Sequence, residues 1–248
     1  MSISPIGAQD KDKRMKLSVT ATTAVAVAGA FAHIAKKQGF SLSPSVIKKT
    51  PIKDWAIFSI YDKKNPLKKE VVLEGKEILE LATASVAGGL AGGLVFDDKK
   101  YRKSKLREAL NQLLGNVIVP VTCVWGISEV YKKNKNSIMK IVPQLKEKGK
   151  FSKYFNQSMR AIPFSIATLG ALTIGIFAGN RVSNFINEKI YHKKVDRNVK
   201  ATDFAPHVDD IGMAVSMMAE KSKGASIIQR IIPAFLCVPG YQTGTHRD

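Results

Sequence analysis

Residues 161–180 read AIPFSIATLGALTIGIFAGN, twenty residues without a charged side chain. That is the length an α-helix needs to cross roughly 30 Å of hydrocarbon. Ala167, Ala171, Gly175 and Gly179 recur within it at four-residue spacing, so one face of the helix is a ridge of small residues that another backbone can approach closely. The stretch reads as a membrane span built for a helix partner, and the rest of the chain falls into place around it.

Three further apolar blocks precede it. Leu17–Ala35 (LSVTATTAVAVAGAFAHIA) is uncharged but rich in Ala, Thr and Val, and it competes with a second reading. A basic flank, an apolar core and Ala28-Gly29-Ala30 or Ala30-Phe31-Ala32 also make the pattern of a cleaved signal peptide. The ridge Thr20, Ala24, Ala28 and Ala32 favours a retained span, because a cleaved peptide needs no packing face. Leu81–Phe96 (LATASVAGGLAGGLVF) is shorter and needs the turn before it to span. In it Gly88 with Gly92, and Gly89 with Gly93, give two overlapping GxxxG spacings that Ala84 and Ser85 extend by one turn. A phosphate-cradling loop would need a Lys-Ser/Thr after the glycines, and none follows. Ala109–Ser128 (ALNQLLGNVIVPVTCVWGIS) places Gln112, Asn116 and Pro120 on one helix face. Amides in hydrocarbon must find hydrogen-bond partners, so this face points into the bundle, either to glue helices together or to line a solute path. Helix gluing is the simpler account.

Between these blocks the chain is basic. The net charge of +19 comes from 39 Lys and Arg against 20 Asp and Glu, with Lys predominating. A hydrated point charge suits anionic lipid headgroups better than the geometric reading of bases. The sequence shows neither a basic helix with interleaved aromatics nor zinc-finger spacing, so no nucleic-acid partner is expected. Cys123 and Cys237 lie in apolar stretches and read as small hydrophobes.

Residues 1–16 are polar and basic and are expected to be a disordered tail. Thr50-Pro51 followed by Ile52, Trp55, Phe58 and Tyr61 reads as a short helix, either interfacial or packed on the bundle. The region 201–248 is expected to start a new helix at Pro206 and to form an amphipathic helix through Val208, Ile211, Val215 and Met218. His207 with Asp209 and Asp210 is better explained as helix-start chemistry than as a metal site. The piece Ile227–Val238 is too short to span and is expected to pack on the bundle or at the interface.

The expected fold is therefore all-α: a polytopic membrane protein with about four spans, near 17–35, 77–96, 109–130 and 161–187, plus interfacial or amphipathic helices. Without an HExxH, a GxSxG or an acid–His cluster, no catalytic residue, cofactor or metal ligand is assigned. The first expectation for function is a helical interaction or accessory protein that forms homo- or hetero-oligomers through its small-residue faces. A small-solute transporter or channel component is the second, and a basic membrane-surface protein with buried rather than spanning helices is the third. Basic residues on the two sides tie in total. The dense 97–107 segment, six in eleven residues, places itself and both termini on the cytoplasmic side.

Overall fold

The computed structural model describes residues 6–41, 43–49, 71, 73, 75–146, 149–194, 198–208 and 235–248. All regular structure among them is helical: α1 (Ile6–Lys37), the short α2 (Pro44–Lys49), α3 (Gly75–Phe96), α4 (Arg102–Asn111), α5 (Val119–Ile141), α6 (Lys150–Lys189) and α7 (Val238–Thr245). A π-helical segment, Gln112–Ile118, joins α4 to α5, and 3₁₀ turns lie at Lys99–Tyr101 and Ala201–His207. Four helices are long and apolar enough to cross a membrane: Gln9–Lys37, Gly75–Phe96, Lys99–Ile141 and Lys150–Lys189. At 22 residues α3 is about 33 Å long and matches the hydrocarbon, whereas the 40 residues of α6 reach about 60 Å and extend past it. Large apolar side chains point outward along these helices, among them Trp125 (65% exposed), Ile174 (65%) and Phe177 (57%).

Glycines set the packing. Gly88 and Gly92 of α3 lie against Val19, Thr22, Thr23 and Ala26 of α1, and a methyl group added at Gly88 would sit 2.5 Å from the Ala26 Cβ. Gly89 and Gly93, a helical step of about 100° further round, face Gly240 and Gly244 of α7 instead. Each GxxxG spacing of α3 thus serves a different partner. On α6, Gly175 abuts Pro120 and Cys123, and Gly179 meets Gly115 backbone to backbone. Ala171 is buried on the same stripe, while Ala84 and Ala167 are only half-buried. Two apolar cores result. Val27, Ile34, Ile78, Leu81 and Leu236 tie α1 and α3 to the C-terminal segment, and Val124, Ala171, Leu172 and Ile176 fill the α5–α6 seam.

Several expectations change. Residues 6–16 are not a disordered tail but the opening turns of α1, anchored by buried Met15 and by ion pairs of Lys11 with Asp98 and Asp12 with Arg247. The ridge Thr20, Ala24 and Ala28 faces outward, and α1 packs through Met15, Val19, Thr23 and Val27. The reason is complementarity: α3 already supplies the missing volume with glycines, so α1 can present larger side chains. Pro206 does not open a helix but lies inside the 3₁₀ turn, which Asp203 caps by accepting the Lys200 backbone N–H. The expected helix at Thr50–Tyr61, the stripe beyond Val208, Asp209, Asp210 and most of Ile227–Val238 fall outside the described residues.

Candidate functional site

The site begins at Pro120. A proline offers no N–H to the preceding turn, so the carbonyl four residues back loses its donor. That carbonyl belongs to Asn116, and it lies 2.8 Å from Nε2 of His207, a fully buried ring on the 3₁₀ turn. A carbonyl can only accept, so Nε2 carries the proton. The helix opens into its π-helical segment immediately upstream, which turns the Gln112 and Asn116 side chains inward.

A continuous polar network follows. Asn116 Nδ2 donates to Asp203 Oδ1 at 2.8 Å and to Gln112 Oε1 at 2.9 Å. Gln112 Nε2 donates to Glu108 Oε1 at 2.6 Å and to Gln242 Oε1 at 2.9 Å, and Gln242 in turn donates to Thr202. Glu108, Gln112, Asn116, Asp203 and His207 are all buried. An amide face that pattern alone shows as Gln112, Asn116 and Pro120 is thus one row of a cluster that also draws on the C-terminal region.

Above the network the opening turns of α1 meet the 97–107 segment and the C-terminal residues. Lys105, fully buried, places its ammonium 2.8 Å from Asp97 Oδ2 and donates to the Gly244 and His246 carbonyls at 2.5 and 3.1 Å. Arg247 bridges Asp97 and Asp12, while Arg107, Lys193 and His246 gather on Asp248. Burial alone would raise the Asp97 pKa, but hydrogen bonds from Arg247, Lys105 and the Asp98 backbone outweigh it and hold the carboxyl well below the usual range. Asp248 behaves likewise, its burial outweighed by His246, Lys193 and Arg107. The start of α1, the 97–107 segment, the stretch after α6 and the C-terminal residues therefore share one end of the bundle. The 97–107 segment is not a loose basic loop, since Arg102–Arg107 are helical and Lys105 and Arg107 are buried.

Between these charges lies a polar cavity of about 490 Å³, with Arg107, Glu108, Asn111, Asn187, Lys200 and Gln242 in its wall. Asn111, at 2% exposure, donates to Asn187 Oδ1 at 3.2 Å. Below the network, the Val124–Leu172–Ile176 core closes the seam with apolar side chains. Among the described residues no group of His, Cys, Asp and Glu is arranged to hold a metal ion.

Two further signals in the sequence belong to this site. Glu108 continues the Gln112–Asn116–Pro120 spacing one turn upstream, and Gly240 with Gly244 is a further GxxxG. Asp203, His207 and Gln242 have no local signal, since only the return of the chain onto α4 and α5 brings them in. Comparison with protein-family models, curated proteins and solved structures found no match. The class therefore rests on the fold, an all-α protein with four helices able to cross a membrane.

Proposed function

We propose that this is a multi-pass membrane protein that admits a small polar solute to the cavity between α4, α6 and the C-terminal residues, as a transporter or channel component. One observation carries the reading. Gln112 and Asn116, inside the uncharged block 109–128, join Glu108, Asp203 and His207 in a buried cluster beside a polar cavity. Asn116 lies about 10 Å into the uncharged block that begins at Ala109, a depth at which ionisable groups are costly and mark solute or proton paths. Helix gluing would need the amides but not two carboxylates and an imidazole. No catalytic step is ascribed to the cluster.

The accessory reading loses much of its support, because the small-residue rows of α3 and α6 are occupied within the chain itself. What still favours it is the α5–α6 hairpin, which runs past the uncharged blocks and exposes Ile141 (82%), Phe151 (76%) and Tyr154 (55%) beside lysines suited to anionic headgroups. The density of basic residues in 97–107 supports a cytoplasmic position for both termini.

With Cys123 and Cys237 replaced by Ala, single cysteines at Gln242, Gln112 and Asn116 test the path in intact membranes. A water-soluble thiol reagent should reach Gln242 first and Gln112 next, and a cysteine at Leu172 should stay protected. Protection at all three polar positions would return the cluster to helix gluing.

A further inference from the structure

The cavity reading can be carried to a ligand class. Resting on that reading, we propose that the cavity binds a small zwitterion with a primary ammonium beside an anionic group, the chemistry shared by free O-phosphoethanolamine and the headgroup of phosphatidylethanolamine. Three features of the wall point there.

The first is an acceptor in need of a donor. Asn111 Oδ1 is buried and has no hydrogen-bond partner among the described residues, although the same side chain donates to Asn187. A buried acceptor left unmet is costly, so the site favours a ligand that brings an N–H or O–H. Asn111 lines the cavity, where buried Glu108 adds negative charge that favours a cation. The second feature is the state of the cations. Arg107 is held by Asp248, and Arg247 by Asp97 and Asp12. Lys200, exposed in the wall, has no carboxylate at ion-pair distance among the described residues, which leaves its ammonium available to an anion. The third is that the described residues of the wall include no Phe, Tyr or Trp ring. Sugars and quaternary ammonium groups are held on aromatic faces, and a choline group also has no N–H to give Asn111. At about 490 Å³ the space admits such a headgroup with room for water.

The test uses the purified full-length protein in a detergent free of ethanolamine lipids, with binding measured by calorimetry. O-phosphoethanolamine is expected to bind, phosphocholine and inorganic phosphate roughly tenfold or more weakly. Asn111→Leu and Lys200→Gln should each weaken O-phosphoethanolamine by a similar factor, while Asn111→Asp, which keeps the acceptor and the shape, should bind at least as well. Lys200 is exposed, so its variant separates lost binding from lost folding. If only a short-chain phosphatidylethanolamine binds, with the same variant pattern and in preference to the phosphatidylcholine analogue, the ligand is a lipid headgroup rather than a free zwitterion. Equal binding of phosphocholine, or affinity unchanged by both Asn111→Leu and Lys200→Gln, overturns the proposal. Labelling of the Gln242 cysteine without binding of any zwitterion sinks this inference and leaves the solute reading standing, whereas a protected Gln242 cysteine removes the reading itself.

Discussion

Asp97 is where a single side chain holds most of the molecule's ends. It bonds the buried ammonium of Lys105 and the guanidinium of Arg247, and Arg247 reaches on to Asp12 at the start of α1. Removing one partner of a buried pair leaves the other charge unmet, so Asp97→Asn is expected to lower stability by about 3 kcal/mol near neutral pH, read by melting in detergent. The pH dependence follows from the lowered pKa. A carboxyl depressed on folding stabilises the fold above the unfolded value, here 3.8, and that contribution fades as pH falls through the lower folded value. The gap between the wild type and Asp97→Asn should therefore begin to narrow as pH falls below about 3.8 and close only below the lower folded value, and a constant gap across the titration would show that the charge is not what matters. Glycines give a second comparison at this scale. A methyl group at Gly89 would strike the Gly240 backbone, whereas one at Gly29 would meet nothing within 4 Å. Gly89→Ala should cost about 2 kcal/mol by overpacking, and Gly29→Ala should be neutral or slightly stabilising through helix propensity. Equal melting temperatures for the two would mean that the α3–α7 crossing does not hold the fold.

The α4–α5 rod is the element on which the site depends, and Pro120 gives it its shape. Without the proline N–H the Asn116 carbonyl turns to His207, so the π-helical segment and the 3₁₀ turn stabilise each other. Pro120→Ala would restore the helical donor and make His207 redundant. A double-mutant cycle is expected to show a coupling of about 1 kcal/mol between Pro120→Ala and His207→Ala, the worth of one buried hydrogen bond. Additive effects would separate the proline from the histidine. Part of this was legible from spacing alone: Gln112, Asn116 and Pro120 fall on one face, and amides at that depth must be met. Which groups meet them was not legible, because Asp203, His207 and Gln242 are 87, 91 and 130 residues away along the chain from their partners.

At the scale of the molecule, the four apolar helices are expected to keep the protein in the membrane pellet after alkaline carbonate extraction. Reporters fused after Lys103 and after Asp248 should report the same compartment, since Arg107 and Asp248 are joined at one end of the bundle. Opposite readings would contradict the charged cap. The sequence by itself determined the all-α class and the four spans, because uncharged blocks of this length have one economical solution in hydrocarbon: backbone hydrogen bonds closed within each helix. It also marked the glycines of α3 as packing surfaces, since spacing along a helix is a local property. Tertiary structure alone decided that Gly88 and Gly92 take α1 while Gly89 and Gly93 take α7, that residues 6–16 continue a helix, and that the C-terminal segment enters the bundle. Those outcomes depend on which surfaces meet across long stretches of chain, and the preference of one face for another is a property of the pair that neither segment carries alone.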